Sequence, residues 1–444
     1  MPREAEDAAP MTMRILHLGL GQFHRAHQAV YLQRLHDLGQ RGWTLAAGNL
    51  RDDGSDTIAA LQRQGGSYTL ETARPDGRRD YQRITALGHV VPFAPDIPEM
   101  VRLAADSATR IISFTVTEAG YAVSADSTLY GSLALMLRQR RLAGAGPVTL
   151  LCCDNLRRNG RRFRSGFEQY LTQLRDWETL EWMLRNTTCP DTMVDRITPR
   201  PPADLAARVF AATGKRDDAP VMSEQFLQWV IEDRFAAGRP AWEAAGADLV
   251  ADVGPYEEAK IRLLNAAHSG FAWAGVLAGT RYIHESARDP RIRGWLHDYA
   301  THDAIPCLPP SQLDLAAYRD TVFDRFTNAA IVDTHERVVT DSCAKLPEFI
   351  VPTVRDRLRA GASIDGVAML PALCLAFLQR WDRGTLPFAY VEQAVDATLV
   401  RGICRAADPV AAFCAATPLW GDLANHPVLR VAVNAAARRV NAAF

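Results

Sequence analysis

Residues 14 to 38 run as a short apolar stretch, a glycine pair and a helical pattern, and that order constrains the fold more than any other feature of the chain. Arg14-Ile-Leu-His-Leu18 reads as a short buried strand and Gly19-Leu-Gly21 as a turn, while Phe23 to Leu38 carries helical periodicity. Further apolar, β-branched runs follow at 43–50, 110–117 and 147–151, with helix-like segments between most of them. Alternation of that kind predicts a parallel sheet covered by helices, an α/β doubly wound architecture. After about residue 255 candidate helices dominate, at 256–279, 287–301, 311–326, 346–359, 367–381 and 386–406. At 444 residues the chain is too long for one ordinary core. Two domains are expected, 1–254 and a mainly α-helical 255–444, with Gly254-Pro255 as the punctuation between them.

Charge and cysteine usage exclude several classes of partner. With 50 basic and 51 acidic residues there is no electrostatic case for nucleic acid or an anionic membrane surface, which leaves a small molecule. The first residues, Met1-Pro-Arg-Glu-Ala-Glu-Asp7, are charged and do not read as a secretory signal, and no apolar run approaches the roughly 20 residues of a membrane helix. Eight cysteines show no Cys-x-x-Cys pair and no ligand-like spacing with histidine, which argues against structural zinc and a disulfide framework. A reducing cytoplasm fits.

Two motifs carry chemistry. Gly19-x-Gly21, after a strand and before a helix, suits a dinucleotide pyrophosphate, because backbone amides can approach the phosphates and the helix start favours their charge. The usual third glycine is replaced by His24. Asp52 and Asp53 follow the second expected strand, where a carboxylate accepts hydrogen bonds from the adenosine ribose; this leans towards NAD over NADP, although Arg51 beside them could pair with a phosphate. The second motif, Lys260-Ile-Arg-Leu-Leu-Asn265-Ala-Ala-His268, sets an amine, a carboxamide and an imidazole in one apolar helical segment. At about 100° per residue, Asn265 lies roughly 140° and His268 roughly 80° around from Lys260, so all three share a broad face. A solvated helix face is the bland alternative. Sitting at the expected boundary, the motif would adjoin a cleft between domains, where small ligands prefer to bind.

Tyr256-Glu-Glu-Ala-Lys260 also matches the Tyr-x-x-x-Lys pattern of short-chain dehydrogenases, which would make Tyr256 the acid-base. That alternative leaves Asn265 and His268 unexplained. Three further islands are unusually polar for their settings: Thr117-Glu118-Ala-Gly-Tyr121, Cys153-Asp154-Asn155-Leu-Arg-Arg-Asn159-Gly160 and Thr192-Met-Val-Asp195-Arg-Ile-Thr-Pro199. Loops after strands are where α/β sheets place ligands, and a turn bonded to its own backbone is the plainer reading of each.

Taken in order, the blocks at 19–27, 115–121, 153–160, 193–199, 228–233 and the lysine motif resemble the polyol-specific long-chain dehydrogenase family, which includes mannitol 2-dehydrogenases, D-arabinitol 4-dehydrogenases and hexuronate reductases. The likeness runs from about residue 14 onward. Blocks at 46–53, 68–72, 255–262 and 305–311 are most similar to its D-arabinitol 4-dehydrogenase branch. The resemblance implies an N-terminal Rossmann-type domain, a helical C-terminal domain, and zinc-independent oxidation of a secondary alcohol by a monomer. It makes Lys260 the general base, with Asn155 and Asn265 holding the reacting oxygen and His268 orienting substrate and lysine. Glu257 would exchange protons with solvent. Asp195, Arg337 and Lys345 would contact substrate, and Gly19, Gly21, Phe23, His24, Asp52, Thr117 and Glu118 would bind NAD.

The chemistry is self-consistent. Hydride leaves a carbinol carbon only as the hydroxyl proton is removed, so a base must reach that oxygen. A lysine, with a free pKa near 10.4, serves at neutral pH only when burial or a neighbouring cation lowers it. Two carboxamides aimed at the developing alkoxide would stabilise transition-state charge. The expected reaction is D-arabinitol to D-xylulose, with mannitol to fructose or a broad polyol range as alternatives, and a non-catalytic NAD-binding sensor as the reading from another class.

Overall fold

The computed structural model describes residues 12–116 and 118–444, with Glu118 and Ala119 by their backbone alone. The chain divides into two compact units, Met1–Arg74 with Arg78–Gly254, and Pro75–Gly77 with Pro255–Phe444.

In the first unit, six strands, Met13–Leu18, Trp43–Gly48, Leu87–Val91, Thr109–Phe114, Val148–Cys152 and Thr187–Thr188, form one sheet in the order 3-2-1-4-5-6 by place in the chain. Every neighbouring pair is parallel. This is the Rossmann-type order, and the winding reverses between the first and fourth strands, where such sheets place their ligands. Both faces are covered. Ile15 packs with Val30, Leu45 and Trp229 on one side, while Leu16 and Leu18 pack with Phe114, Leu150 and Phe163 on the other. Burial on two faces is why these strands read as continuous apolar runs.

Three features depart from expectation. The helix foreseen over 23–38 is two, Gln22–Ala26 and Gln28–Asp37. His27 leaves helical geometry (φ −123°, ψ −87°), and its Nε2 bonds the Gln228 carbonyl at 2.9 Å. Two small sheets also appear, each of three strands with mixed direction: Tyr68–Ala73 between Val221–Glu224 and Arg79–Ile84, and Gln228–Glu232 between Thr192–Asp195 and Asp248–Val250. Buried charge hides the first from a hydrophobicity reading. The Glu71 carboxylate, fully buried, is held by Arg79 at 2.5 Å, Arg208 at 2.9 Å and the Tyr81 hydroxyl at 2.9 Å.

The second unit is helical. Ala266–Ala278, Met369–Asp382 and Pro427–Ala443 pack in series. Of the segment expected as a helix at 386–406, only Ala397–Arg405 is helical, starting where the Asp396 carboxylate accepts the Thr398 N–H. The preceding stretch contains Pro387 and is pinned by side chains, with the Tyr390 hydroxyl accepting the Ser342 N–H and Glu392 accepting the Cys343 N–H, both at 3.1 Å. The expected 287–301 helix splits at Asp289, whose carboxylate caps Pro290–Asp298. Pro427–Ala443 lies outside the expected helices. Lys260–Asn265, Tyr299–Ala304 and Leu346–Ile350 are π turns, a rare geometry frequent at functional sites. No described helix is long and apolar enough to cross a membrane.

Candidate active site

In the first unit the glycine turn sits at the reversal of winding. Gly19 has φ +102°, and a Cβ there would stand 2.1 Å from the Thr115 carbonyl oxygen, so this approach of the first strand's end to the fourth's admits glycine alone. The turn is tied down by the Leu20 N–H on Asn49 Oδ1 at 2.7 Å and by the Thr115 hydroxyl on the Gly19 carbonyl at 3.0 Å. Gly21 is exposed, with nothing nearer than 4.0 Å to its missing Cβ. Two bare backbone positions before a helix start fit a pyrophosphate.

His24 corrects the reading of this motif. Its ring is buried, 1 % exposed, and lies flat against His17 at 3.5 Å and 13°. In a dinucleotide fingerprint the third glycine permits close helix–strand packing; here two stacked imidazoles achieve the same approach. His24 therefore shapes the turn from behind. Burial pushes His17 down to about 3, partly offset by its bond to the Gly19 carbonyl, and pushes His24 well below the usual value. As neutral His17 donates Nε2–H to Gly19 (3.2 Å), its Nδ1 accepts from the Ser113 hydroxyl (2.9 Å). Phe23 is half-buried and stacks on His27 at 5.0 Å.

The polar loops after the strands are organised by two residues that sequence reasoning gave no role. Asp154 accepts the Val116 N–H at 3.0 Å and the Tyr121 hydroxyl, joining two of the polar islands. Asn159, fully buried, donates to the Asp154 and Thr192 carbonyls at 2.9 Å and accepts the Thr192 N–H at 2.9 Å, tying in the third. Asn155 stands exposed on the bend between them. Asp195 is buried at the end of Thr192–Asp195, paired across to Gln228. Asp52 is exposed in the loop after the second strand. Thr117 and the side chain of Glu118 lie outside the described residues.

In the second unit Lys260 and Asn265 are the two ends of a π turn. Bonding from residue i to i+5, seen in the Ala266 N–H on the Ile261 carbonyl, puts Asn265 one turn along from Lys260 on about the same face, which corrects the 140° offset expected of an α-helix. Tyr299, fully buried, donates its hydroxyl to the Arg262 carbonyl inside this turn at 2.8 Å. Arg262 itself pairs with Glu258 at 2.9 Å and Asp356 at 2.7 Å. Lys260 and Glu257 are buried, at 5 % and 8 % exposed, and Asn265 is half-buried.

His268 bonds through Nε2 to Asp333 Oδ2 at 3.1 Å and stacks on Phe326 at 4.7 Å. Arg337 grips the same carboxylate with Nε and Nη2, each at 2.7 Å. Burial lowers the His268 pKa; the Asp333 carboxylate opposes this, and the charges of Arg337 and Lys345 reinforce it. Lys345 closes the short helix Ser342–Lys345, and burial pushes its ammonium down as well. The expected His268, Arg337 and Lys345 are thus brought within electrostatic reach of one another. Asp333 was missed; its only local signal is an acid four residues before Arg337. Among the described residues no three His, Cys, Asp or Glu side chains gather as metal ligands.

Comparison with known proteins agrees with this layout. The mannitol dehydrogenase Rossmann domain matches residues 13–244, and the mannitol dehydrogenase C-terminal domain matches residues 252–441. A D-arabinitol 4-dehydrogenase of Ralstonia nicotianae is 51 % identical, over 100 % of this chain and 99 % of its own. One of Klebsiella pneumoniae is 47 % identical over 93 % and 94 %. Among solved structures, the mannitol 2-dehydrogenase of Pseudomonas fluorescens, in ternary complex with NAD and D-mannitol, is similar at a TM-score of 0.82 and 30 % identity, over 97 % of this chain and 92 % of its own. A D-sorbitol dehydrogenase in substrate-free form reaches 0.87 at 32 % identity, over 98 % and 95 %.

Proposed function

This chain belongs to the mannitol dehydrogenase family, and from that premise we propose that it is an NAD-dependent, zinc-independent polyol dehydrogenase that oxidises D-arabinitol to D-xylulose as a single chain in the cytoplasm. The observation that carries the substrate is the 51 % and 47 % identity to two D-arabinitol 4-dehydrogenases over nearly full length. The Gly19–Gly21 turn would admit the dinucleotide backbone, the exposed Asp52 would accept its ribose hydroxyls, and Phe23, Thr117 and Glu118 would add to cofactor binding, with His24 supporting the turn from within. NAD held there would supply the hydride acceptor.

Lys260 takes the hydroxyl proton, and Glu257, one turn earlier on the helix, passes it to solvent. Asn155 and Asn265 donate N–H groups to the oxygen as its charge develops. His268, Asp195 and Lys345 hold the hydroxyl chain. Arg337 has Nε and Nη2 committed to Asp333 and serves by holding that carboxylate.

Steady-state rates with NAD on D-arabinitol, mannitol, sorbitol and xylitol test the substrate. Arabinitol should lead; mannitol ahead severalfold in kcat/KM would move the enzyme to the mannitol branch, and NADH binding without turnover from pH 6 to 10 would make it a sensor. Lys260→Ala should cost about 10²- to 10⁴-fold in turnover while keeping NADH affinity. Near-normal turnover in that variant would return the base to Tyr256. Prolonged chelation should leave the rate unchanged, and light scattering should return the mass of one chain.

A further inference from the structure

Asp333 is an ionised group by construction. Burial favours its neutral form, yet the hydrogen bonds and charges of His268 and Arg337 outweigh this and hold its carboxyl below the usual range. Arg337 carries its charge at every working pH, so it is the partner that counts when the imidazole is neutral. A carboxylate gripped by a guanidinium fork can only accept. Nε2 of His268, 3.1 Å from Oδ2, must therefore be the N–H of that ring. The ring is neutral at pH 7, because burial outweighs the attraction of Asp333. A neutral ring protonated at Nε2 has a lone pair at Nδ1. Phe326, at 21° to the imidazole, fixes its plane.

Resting on the reading of this unit as the polyol-binding one, we propose that Asp333, clamped by Arg337, is a positioning residue that locks His268 as the Nε2–H tautomer and presents Nδ1 as an acceptor for a substrate hydroxyl. Without the carboxylate, which favours the protonated ring, His268 stays neutral but is free to adopt the other tautomer. It would then offer a donor where the hydroxyl requires an acceptor. Asp333→Asn is the informative change, since Arg337 Nε, Arg337 Nη2 and His268 Nε2 must then share one amide oxygen in place of two carboxylate oxygens, and the acceptor that locks Nε2–H is no longer assured.

NMR of enzyme labelled with ¹⁵N in its imidazoles reads the tautomer directly. Wild type should show neutral His268 protonated at Nε2, and Asp333→Asn should shift it towards Nδ1–H. In that variant kcat/KM for D-arabinitol should fall about 10- to 100-fold, the usual cost of losing a group that orients a working ligand, with NADH affinity unchanged and part of the loss recovered by Asp333→Glu. A wild-type His268 found as Nδ1–H, or as imidazolium at pH 7, overturns the proposal even if no variant folds. An unchanged tautomer and unchanged kcat/KM in Asp333→Asn overturns it as well. Failure of the polyol reading shows separately, as NADH binding by the wild type with no turnover of any of the four polyols, and leaves the NMR result to decide the tautomer that Asp333 sets.

Discussion

Gly19 is a position where one hydrogen atom decides the geometry of a turn. Gly19→Ala forces a Cβ to within 2.1 Å of a backbone oxygen at a φ that side chains rarely adopt. The cost should exceed about 1–2 kcal/mol. NADH affinity should fall at least about tenfold (1.4 kcal/mol) if the strand end moves to relieve the contact; fluorescence titration and thermal melting that both match wild type would show the turn to be elastic. Glycine and lysine stand out in the sequence because each carries a local signature: a bare backbone between strand and helix, or an amine in an apolar run. His24 and Asp333 do not. The first acts through a ring seven residues back on a strand and the second through an imidazole 65 positions away, and no spacing rule reaches either partner. At this scale sequence supplies the reactive groups, and folding supplies what orients them.

Among elements, strong apolar stripes and continuous β-branched runs marked their own limits. The helix Pro427–Ala443 did not, because four of its inward positions, Ala432, Val433, Ala436 and Val440, are only Ala or Val within an Ala- and Arg-rich sequence, and Val428 and Val431 face outward. Leu429 is its one large, fully buried anchor. Leu429→Ala should remove about 2–5 kcal/mol of stability, read as a lower urea midpoint at an unchanged slope; a midpoint within error of wild type would mean the helix docks without it. The π turn at Lys260 was equally hidden. Its residues fit an α-helix as well as a π turn, and the bond that favours the wider form comes from Tyr299, a residue 37 positions on.

The whole molecule carries a pH signature. His17, His24, His268 and His335 are all lowered by burial, with His17 near 3 and His335 near 4, whereas unfolded histidine titrates near 6.5. Between these values the unfolded chain binds more protons than the folded one, so stability is fully present above about pH 6.5 and drains as pH falls. Each fully buried ring contributes a slope of up to about 1.4 kcal/mol per pH unit. Urea midpoints should drop steadily from pH 7 to pH 5, and a flat profile would contradict the burial of these rings. At this scale the order of sheet and helices, and the family, were plain from the sequence, because six separate motifs kept their order along the chain. A turn that closes on the fifth residue absorbs one surplus residue and returns the helix beyond it to its former phase. Loss of a residue between Lys260 and Asn265 would leave the two at α-helical i, i+4 spacing and His268 on its old bearing, so chain length can vary at this turn while the helix downstream keeps its facing.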